Sequence, residues 1–233
     1  MPTESWSSVR GTRMRLTRLD ECCKPLAALA TCAFLVSKGF VSVAYSPEIS
    51  EAEEIELKNA NGDICVSDPG CDVLKWVNTT LSLCNVDPDV LSFVTGSPLV
   101  LDSAGNSVGN RIQTGQACKV NFALEVWTDI PGQDCAAGAK QYGYFLAPCI
   151  GGGILGDWTI ENDALNLELN AKARSGSGWG SGPWDVDNTA VPPAPSVAGP
   201  LLTPIGVNDV MDLHLTTIAP PDVTDGCQPM PAA

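Results

Sequence analysis

Residues 40–66, FVSVAYSPEISEAEEIELKNANGDICV, constrain the fold most, because their side chains alternate with the period of a β-strand and then reverse. From Phe40 to Ser46, Val41, Val43 and Tyr45 fall on one side, and Ser42, Ala44 and Ser46 on the other. After the Ser46-Pro47 break, Ile55 and Leu57 share a face while Glu54, Glu56 and Lys58 take the opposite one. Asn61-Gly62 supplies the positive φ of a tight reversal into Ile64-Cys65-Val66. Glu51, Glu53, Glu54 and Glu56 give this stretch more charge than solubility needs. The pattern predicts a sheet with one apolar face and one small-polar or acidic face, fronting either bulk water or a hydrophilic passage.

The rest of the chain repeats the signal. Gly and Pro make up 40 of 233 residues (22 + 18), and they separate short runs rich in Val, Thr, Ile, Trp and Phe. That spacing predicts an all-β sandwich or barrel. Strands are expected at Val77 to Val86, Lys119 to Trp127, Tyr142 to Leu146, Ala164 to Ala173 and Val210 to Ile218. Asp87-Pro88-Asp89 predicts a short helix through Val94, with Asp87 as N-cap, Pro88 at the first helical position and Gly96 as the stop. PGCDVLKW at 69–76 reads as a turn leading into one helical turn, 97–116 as a hairpin or loop around Asp102 to Asn106, and Gly151-Gly152-Gly153 as a turn before a strand. Residues 1–8 read as a loose polar terminus and 22–36 as strand or short helix. The Pro-rich 190–204 reads as an arm or linker. No internal repeat is present.

Charge narrows the function classes. Thirteen basic and 27 acidic residues leave a net charge of −14, against the basic footprint that reading nucleic acid requires. Arg10, Arg13, Arg15 and Arg18 crowd the N-terminal end, and no Lys or Arg follows Arg174. This polarity suits head-to-tail association, with those four arginines as candidate contacts between successive copies of the chain. The domain boundaries expected are a basic arm over 1–22, a β domain over 23–190, and a Pro-rich arm with a last strand and an acidic tail over 191–233. Within the basic arm, residues 9–19 alternate Arg13 and Arg15 with Met14 and Leu16 and read as an edge or inter-subunit strand.

Catalytic patterns are missing. The sole histidine, His214, has no assignable serine or cysteine partner, and a satisfied strand histidine is the expectation. GSGWGSG at 176–182 lacks the lysine of a phosphate loop, and Asp185-x-Asp187-Asn188 lacks the glycine and closing glutamate of a calcium loop. No cofactor and no metal are expected: among ten cysteines there is no C-x-x-C, and only Cys65 and Cys71 approach a zinc spacing. Cys84 and Cys118 read as small buried hydrophobes. The apolar run 25–36 is too short for a membrane span of roughly 20 residues. With the arginines before it, that run mimics an export signal ending at Cys32, but Asp20, Glu21 and Thr31 argue against one.

FVSVAYSPEI, EEIELKNANGDICVSDPGCD, LKW and CNVDP at 84–88, followed by ALEVWTD at 123–129, YGYFLAP at 142–148, GDWTIENDALNLEL at 156–169 and GWGSGPWDV at 178–186, resemble the major tail tube proteins of long-tailed, siphovirus-type phages of actinobacteria. The likeness covers roughly residues 9–190. Cys22-Cys23, the run 25–36 and residues 191–233 depart from the family. The resemblance implies a structural virion protein rather than an enzyme: a β-sandwich with one or two short helices, whose long hairpins complete an inner β-barrel in a hexameric ring. Rings of this subunit would stack into the tail tube. The partners implied are further copies of the chain, a tape-measure protein, other tail proteins and DNA in transit, with no membrane. Assembly would take place in the host cytoplasm. Ser42, Ala44, Ser46, Glu54 and Glu56 are then the lumen-facing candidates. An exported disulfide-containing β-sandwich binding module and a capsid decoration protein are the alternatives.

Overall fold

The computed structural model describes residues 5–26, 32–85, 87–114, 120–132, 140–159, 166–176, 178–189 and 196–230. It is all-β with one short helix. The strands are β1 (Gly11–Leu19), β2 (Phe34–Ser37), β3 (Phe40–Ser50), β4 (Ile55–Lys58), β5 (Ile64–Asp68), β6 (Val73–Leu83), β7 (Leu99–Leu101), β8 (Ser107–Asn110), β9 (Asn121–Asp129), β10 (Tyr142–Leu155), β11 (Leu167–Ala173), β12 (Asp187–Asn188), β13 (Ala198–Gly199) and β14 (Asp212–Thr216). Helix α1 (Pro88–Thr95) lies between β6 and β7.

Eight strands form one sheet in the order β2-β1-β9-β10-β11-β6-β3, with β14 also paired to β10. β10 holds these pieces together because it changes partners along its length. Tyr142–Leu146 pair with β14, whereas Ile150–Leu155 pair with β11. The sheet is not closed into a barrel, and its two ends are β2 and β3.

Alternation sorts the side chains onto two faces. Met14, Leu16, Leu124, Val126, Leu81 and Leu169 point into the larger core, over which α1 packs Val90, Phe93 and Val94. Ala123, Trp127, Tyr144 and Leu146 point the other way, into a second core closed by Trp179, Val186, Leu201 and Ile205. The helix follows its sequence signals. Asp87 accepts from the Asp89 and Val90 amides, and Gly96 ends the helix in the left-handed region at φ 73°.

Several expectations change. The basic segment is not an arm, because β1 lies inside the sheet between β2 and β9. Its arginines mislead because β1 is buried on both faces. Trp6, within the expected loose terminus, meets Phe145 edge to face at 5.7 Å. Val73–Trp76 extend β6 where a helical turn was expected, because they pair with Glu48–Ser50. Gly151–Gly153 lie within β10, and the register shifts between Gly151 and Ile154. A Cβ on Gly153 would collide with the Val94 carbonyl, so this bulge lets the strand pass beneath α1. The C-terminal segment is fastened to the body through β14 and a Cys32–Cys227 disulfide, and Cys23–Cys149 ties the β1–β2 connection to β10. Cys84 is exposed rather than buried; Cys118 lies outside the described residues.

Candidate assembly surface

β3, β6 and β11 end the sheet as three adjacent strands with opposed faces. On one face Val43 and Tyr45 meet the core beside Val77, Leu81 and Leu169. On the other, Ser42, Ala44 and Ser46 are exposed, as the period-two pattern predicts. Pairing places Ala44 against Thr80, which pairs in turn with Asn170, and Ser46 against Asn78, which pairs with Lys172. Thr80 Oγ1 donates to Asn170 Oδ1 at 2.8 Å, so neighbouring strands satisfy each other across this face. Val41 departs from the pattern and is 61% exposed, because the register shifts between Phe40 and Ser42.

This face is small-polar rather than acidic. Its charges are mixed: Glu48, Glu168 and Lys172 are all exposed, and the Lys172 ammonium lies 4.4 Å from the centre of the Trp76 ring. Glu54 and Glu56 do not join it. The β3–β6 ladder ends at Ser50 and Val73, just past a second register shift between Glu48 and Ile49, and the chain continues as a separate β4–β5 hairpin. Glu56 pairs there with Lys58 at 3.0 Å. The sequence pattern of 40–58 thus spans two sheets, and the acid belongs to the second. Thr80, Asn170 and Lys172 escaped the sequence reading, although Leu167–Ala173 (LELNAKA) alternates as cleanly as β3. The missing signal was which strands are neighbours.

The β4–β5 hairpin stands clear of the body. Every residue from Glu53 to Lys75 is exposed. Asn59 shapes its tip by accepting from the Asn61 and Asp63 amides, with Gly62 at φ 89°. Ile49, Ile55, Leu57, Ile64, Val66 and Val73 are each 48–61% exposed along its length and at its base. A two-stranded hairpin is marginal alone in water, and this one leaves its apolar side chains unburied in the monomer.

The four N-terminal arginines are not one patch. Arg10 is exposed and Arg13 half-buried. Arg15 is buried, with Nε 2.6 Å from Glu125 Oε2, and its guanidinium lies 4.3 Å from the Trp184 ring centre. It is therefore withdrawn as a contact between subunits. Arg18 is half-buried against the Phe93 ring at 4.9 Å, where burial lowers its pKa. Period-two alternation put Arg13 and Arg15 on the polar side of β1, but that side faces the second core.

His214 is held on the same side of the sheet. Its Nδ1 lies 2.9 Å from Asp212 Oδ2, its Nε2 2.9 Å from Asp187 Oδ1, and its ring lies 4.8 Å from that of Tyr144. Burial pulls its pKa down, but hydrogen bonding and charge from Asp212 and Asp187 outweigh this, and the pKa is raised. Among the described residues, no three His, Cys, Asp or Glu side chains are grouped to hold a metal ion, and no helix is long and apolar enough to cross a membrane.

No family model and no curated protein matches the chain. Among solved structures, it is similar to a chain of the cryo-EM structure of an extracellular contractile injection system, the PVC sheath–tube complex in its extended state. The identity is 14%, the match covers 69% of this chain and 83% of that one, and the TM-score is 0.29. A likeness that slight carries no argument about role.

Proposed function

We propose that this chain is a structural virion protein, the major tail tube subunit of a siphovirus-type phage. In this reading it forms hexameric rings that stack into a hollow tube around a tape-measure protein, and the tube then conducts DNA. The observation that carries it is the two-faced β3–β6–β11 end of the sheet, continued by an apolar hairpin that the monomer leaves bare. Closing such sheets into a shared barrel would pair their edges and cover the hairpins. The lining would be Ser42, Ala44, Ser46, Thr80 and Asn170, without the clustered lysines and arginines to which phosphates bind by releasing counterions. The role is passive and non-enzymatic.

The two disulfides favour a second reading, an exported β-sandwich binding module, since such bonds persist where thiols are not kept reduced. Sedimentation and negative-stain microscopy of purified protein across a concentration series separate the two. Rings or hollow filaments support the tube subunit. A monodisperse monomer that stays inert with tail-tip and tape-measure partners overturns it and leaves the module.

A further inference from the structure

The β2 end of the sheet is not bare. Residues 224–228 run along it and satisfy its outward main-chain groups. The Phe34 N–H donates to the Gln228 carbonyl at 3.1 Å, and the Gln228 N–H donates back to the Phe34 carbonyl at 2.8 Å, in antiparallel sense. The Val36 N–H donates to Thr224 Oγ1 at 2.9 Å, and the Thr224 N–H to the Val36 carbonyl at 3.1 Å. Cys32, just before β2, is disulfide-bonded to Cys227 within this strap. Pro220-Pro221 connects the strap back to β14, and Met230 beyond it is buried. At the opposite end, β3 pairs with β6 on one side and with no strand on the other among the described residues.

We infer that residues 224–228 are a latched blocking strand, and that its release makes β2 the acceptor edge for β3 of a second copy of this chain. Without the strap, the N–H and C=O groups of Phe34 and Val36 all lose their partners at once, and an edge in that state is a template for another strand. The chain carries the matching donor, because β3 is the other, open end of the same sheet. A β3-to-β2 contact joins unlike surfaces, so it repeats from copy to copy in one sense, as a ring requires. The proposal therefore rests on the ring-forming reading above.

The latch is chemical. Two equivalents of a thiol reductant convert Cys32–Cys227 into two thiols. The reductant leaves as its own disulfide, and each cysteine gains one electron and one proton. In a reducing cell interior, where such a tail is assembled, the strap would hang on main-chain bonds that open locally. Exchange with a small-molecule disulfide later re-forms Cys32–Cys227 and releases two small thiols, which closes any β2 edge left unpaired and so suppresses stray association.

Hydrogen exchange and peptide binding test this on the monomer, independently of tube formation. Reduction also opens Cys23–Cys149, so Cys227→Ser under non-reducing conditions isolates the latch. The expected result is that the Phe34 and Val36 amides exchange roughly ten- to a hundredfold faster in Cys227→Ser than in oxidised wild type, with β9 amides unchanged. A synthetic peptide of residues 40–50 should bind Cys227→Ser and reduced wild type, but not oxidised wild type. Unchanged exchange at Phe34 and Val36 overturns the latch, and fast exchange without peptide binding overturns the acceptor edge. If oxidised protein forms tubes as readily as reduced protein, the inference fails while the tube reading stands. Peptide binding with no rings under any condition has the opposite meaning.

Discussion

Arg15 and Glu125 face each other across β1 and β9 as a buried two-pronged ion pair, and Tyr144 Oη donates to the same carboxylate at 2.7 Å. Trp127 and Trp184 lie on the guanidinium at 5.0 and 4.3 Å. Glu125 and Arg15 raise and lower the Tyr144 pKa by their charges, but burial is the largest cause, and the phenol is held well above its ordinary value. Removing one partner leaves a buried charge without compensation, which costs about 3–5 kcal/mol. Arg15→Met or Glu125→Leu alone should therefore lower the urea midpoint sharply, and the double variant should recover most of the loss. If Arg15→Met behaves as a surface substitution, within roughly 0.5 kcal/mol of wild type, this placement of β1 is wrong.

His214 makes stability depend on pH in a defined sense. Its folded pKa is raised above the ordinary 6.5, so the protonated ring contributes fully below about that pH. The contribution fades as pH rises through the folded value, leaving Asp212 and Asp187 facing a neutral ring. The ring-proton NMR signal of this single histidine should titrate above pH 6.5, and His214→Gln should flatten the fall in denaturation midpoint on the alkaline side. A ring that titrates at or below the ordinary value removes the clasp.

β3, the Val77–Leu83 part of β6, β11 and the capped helix were legible because each carries a complete local signal: a period-two stripe, or Asp-Pro at one end and Gly at the other. The polar face was half legible. Ser42, Ala44 and Ser46 share one strand, whereas Thr80 joins them only through its pairing with Ala44, and Asn170 through a contact with Thr80 formed across 90 residues of chain. Glu54 and Glu56 were misplaced for a related reason. Pro47 lies within β3, and nothing in the alternation marks the end of the β3–β6 ladder at Ser50, beyond which the chain forms a new sheet. Arg15 was misread because an arginine signals a surface unless its partner is known. That partner, Glu125, lies in the middle of the ALEVWTD strand.

The position of β1 changes what a terminal deletion does. Removing residues 1–19 as a dispensable arm would strip β9 and β2 of their shared neighbour. The truncated chain should be insoluble, or lack the cooperative transition and near-ultraviolet dichroism of the full chain. Removing residues 1–5 leaves Trp6 and β1 in place and should shift the midpoint little. A cooperatively folded protein lacking residues 1–19 contradicts this sheet order.

Gly153 tests how closely β10 passes beneath α1. Any side chain there meets the Val94 carbonyl, which is backbone and cannot rotate aside. Gly153→Ala should cost about 1–3 kcal/mol, as overpacking does, whereas Gly105→Ala meets nothing and bears only the cost of its positive φ of 87°. Equal and small effects at both positions would mean that α1 sits farther from the strand.

The polar face and the acidic hairpin make different predictions for the passage of DNA. If β3, β6 and β11 line a tube, a lysine at Ala44 or Thr80 projects among small polar neighbours and repeats around every ring. Ala44→Lys with Thr80→Lys should leave tubes that retain DNA at low salt and release it as salt rises, with a steep dependence because many phosphates are neutralised together. Glu54→Lys with Glu56→Lys sits on the separate β4–β5 hairpin and disturbs the pair with Lys58. Its main effect should fall on assembly, with shorter or fewer tubes, and its DNA retention should be the weaker of the two. Filter binding and negative-stain length distributions on the same preparations read both quantities. Retention confined to the Glu54 and Glu56 variant would move the lining to the hairpin and leave the β3–β6–β11 face outside.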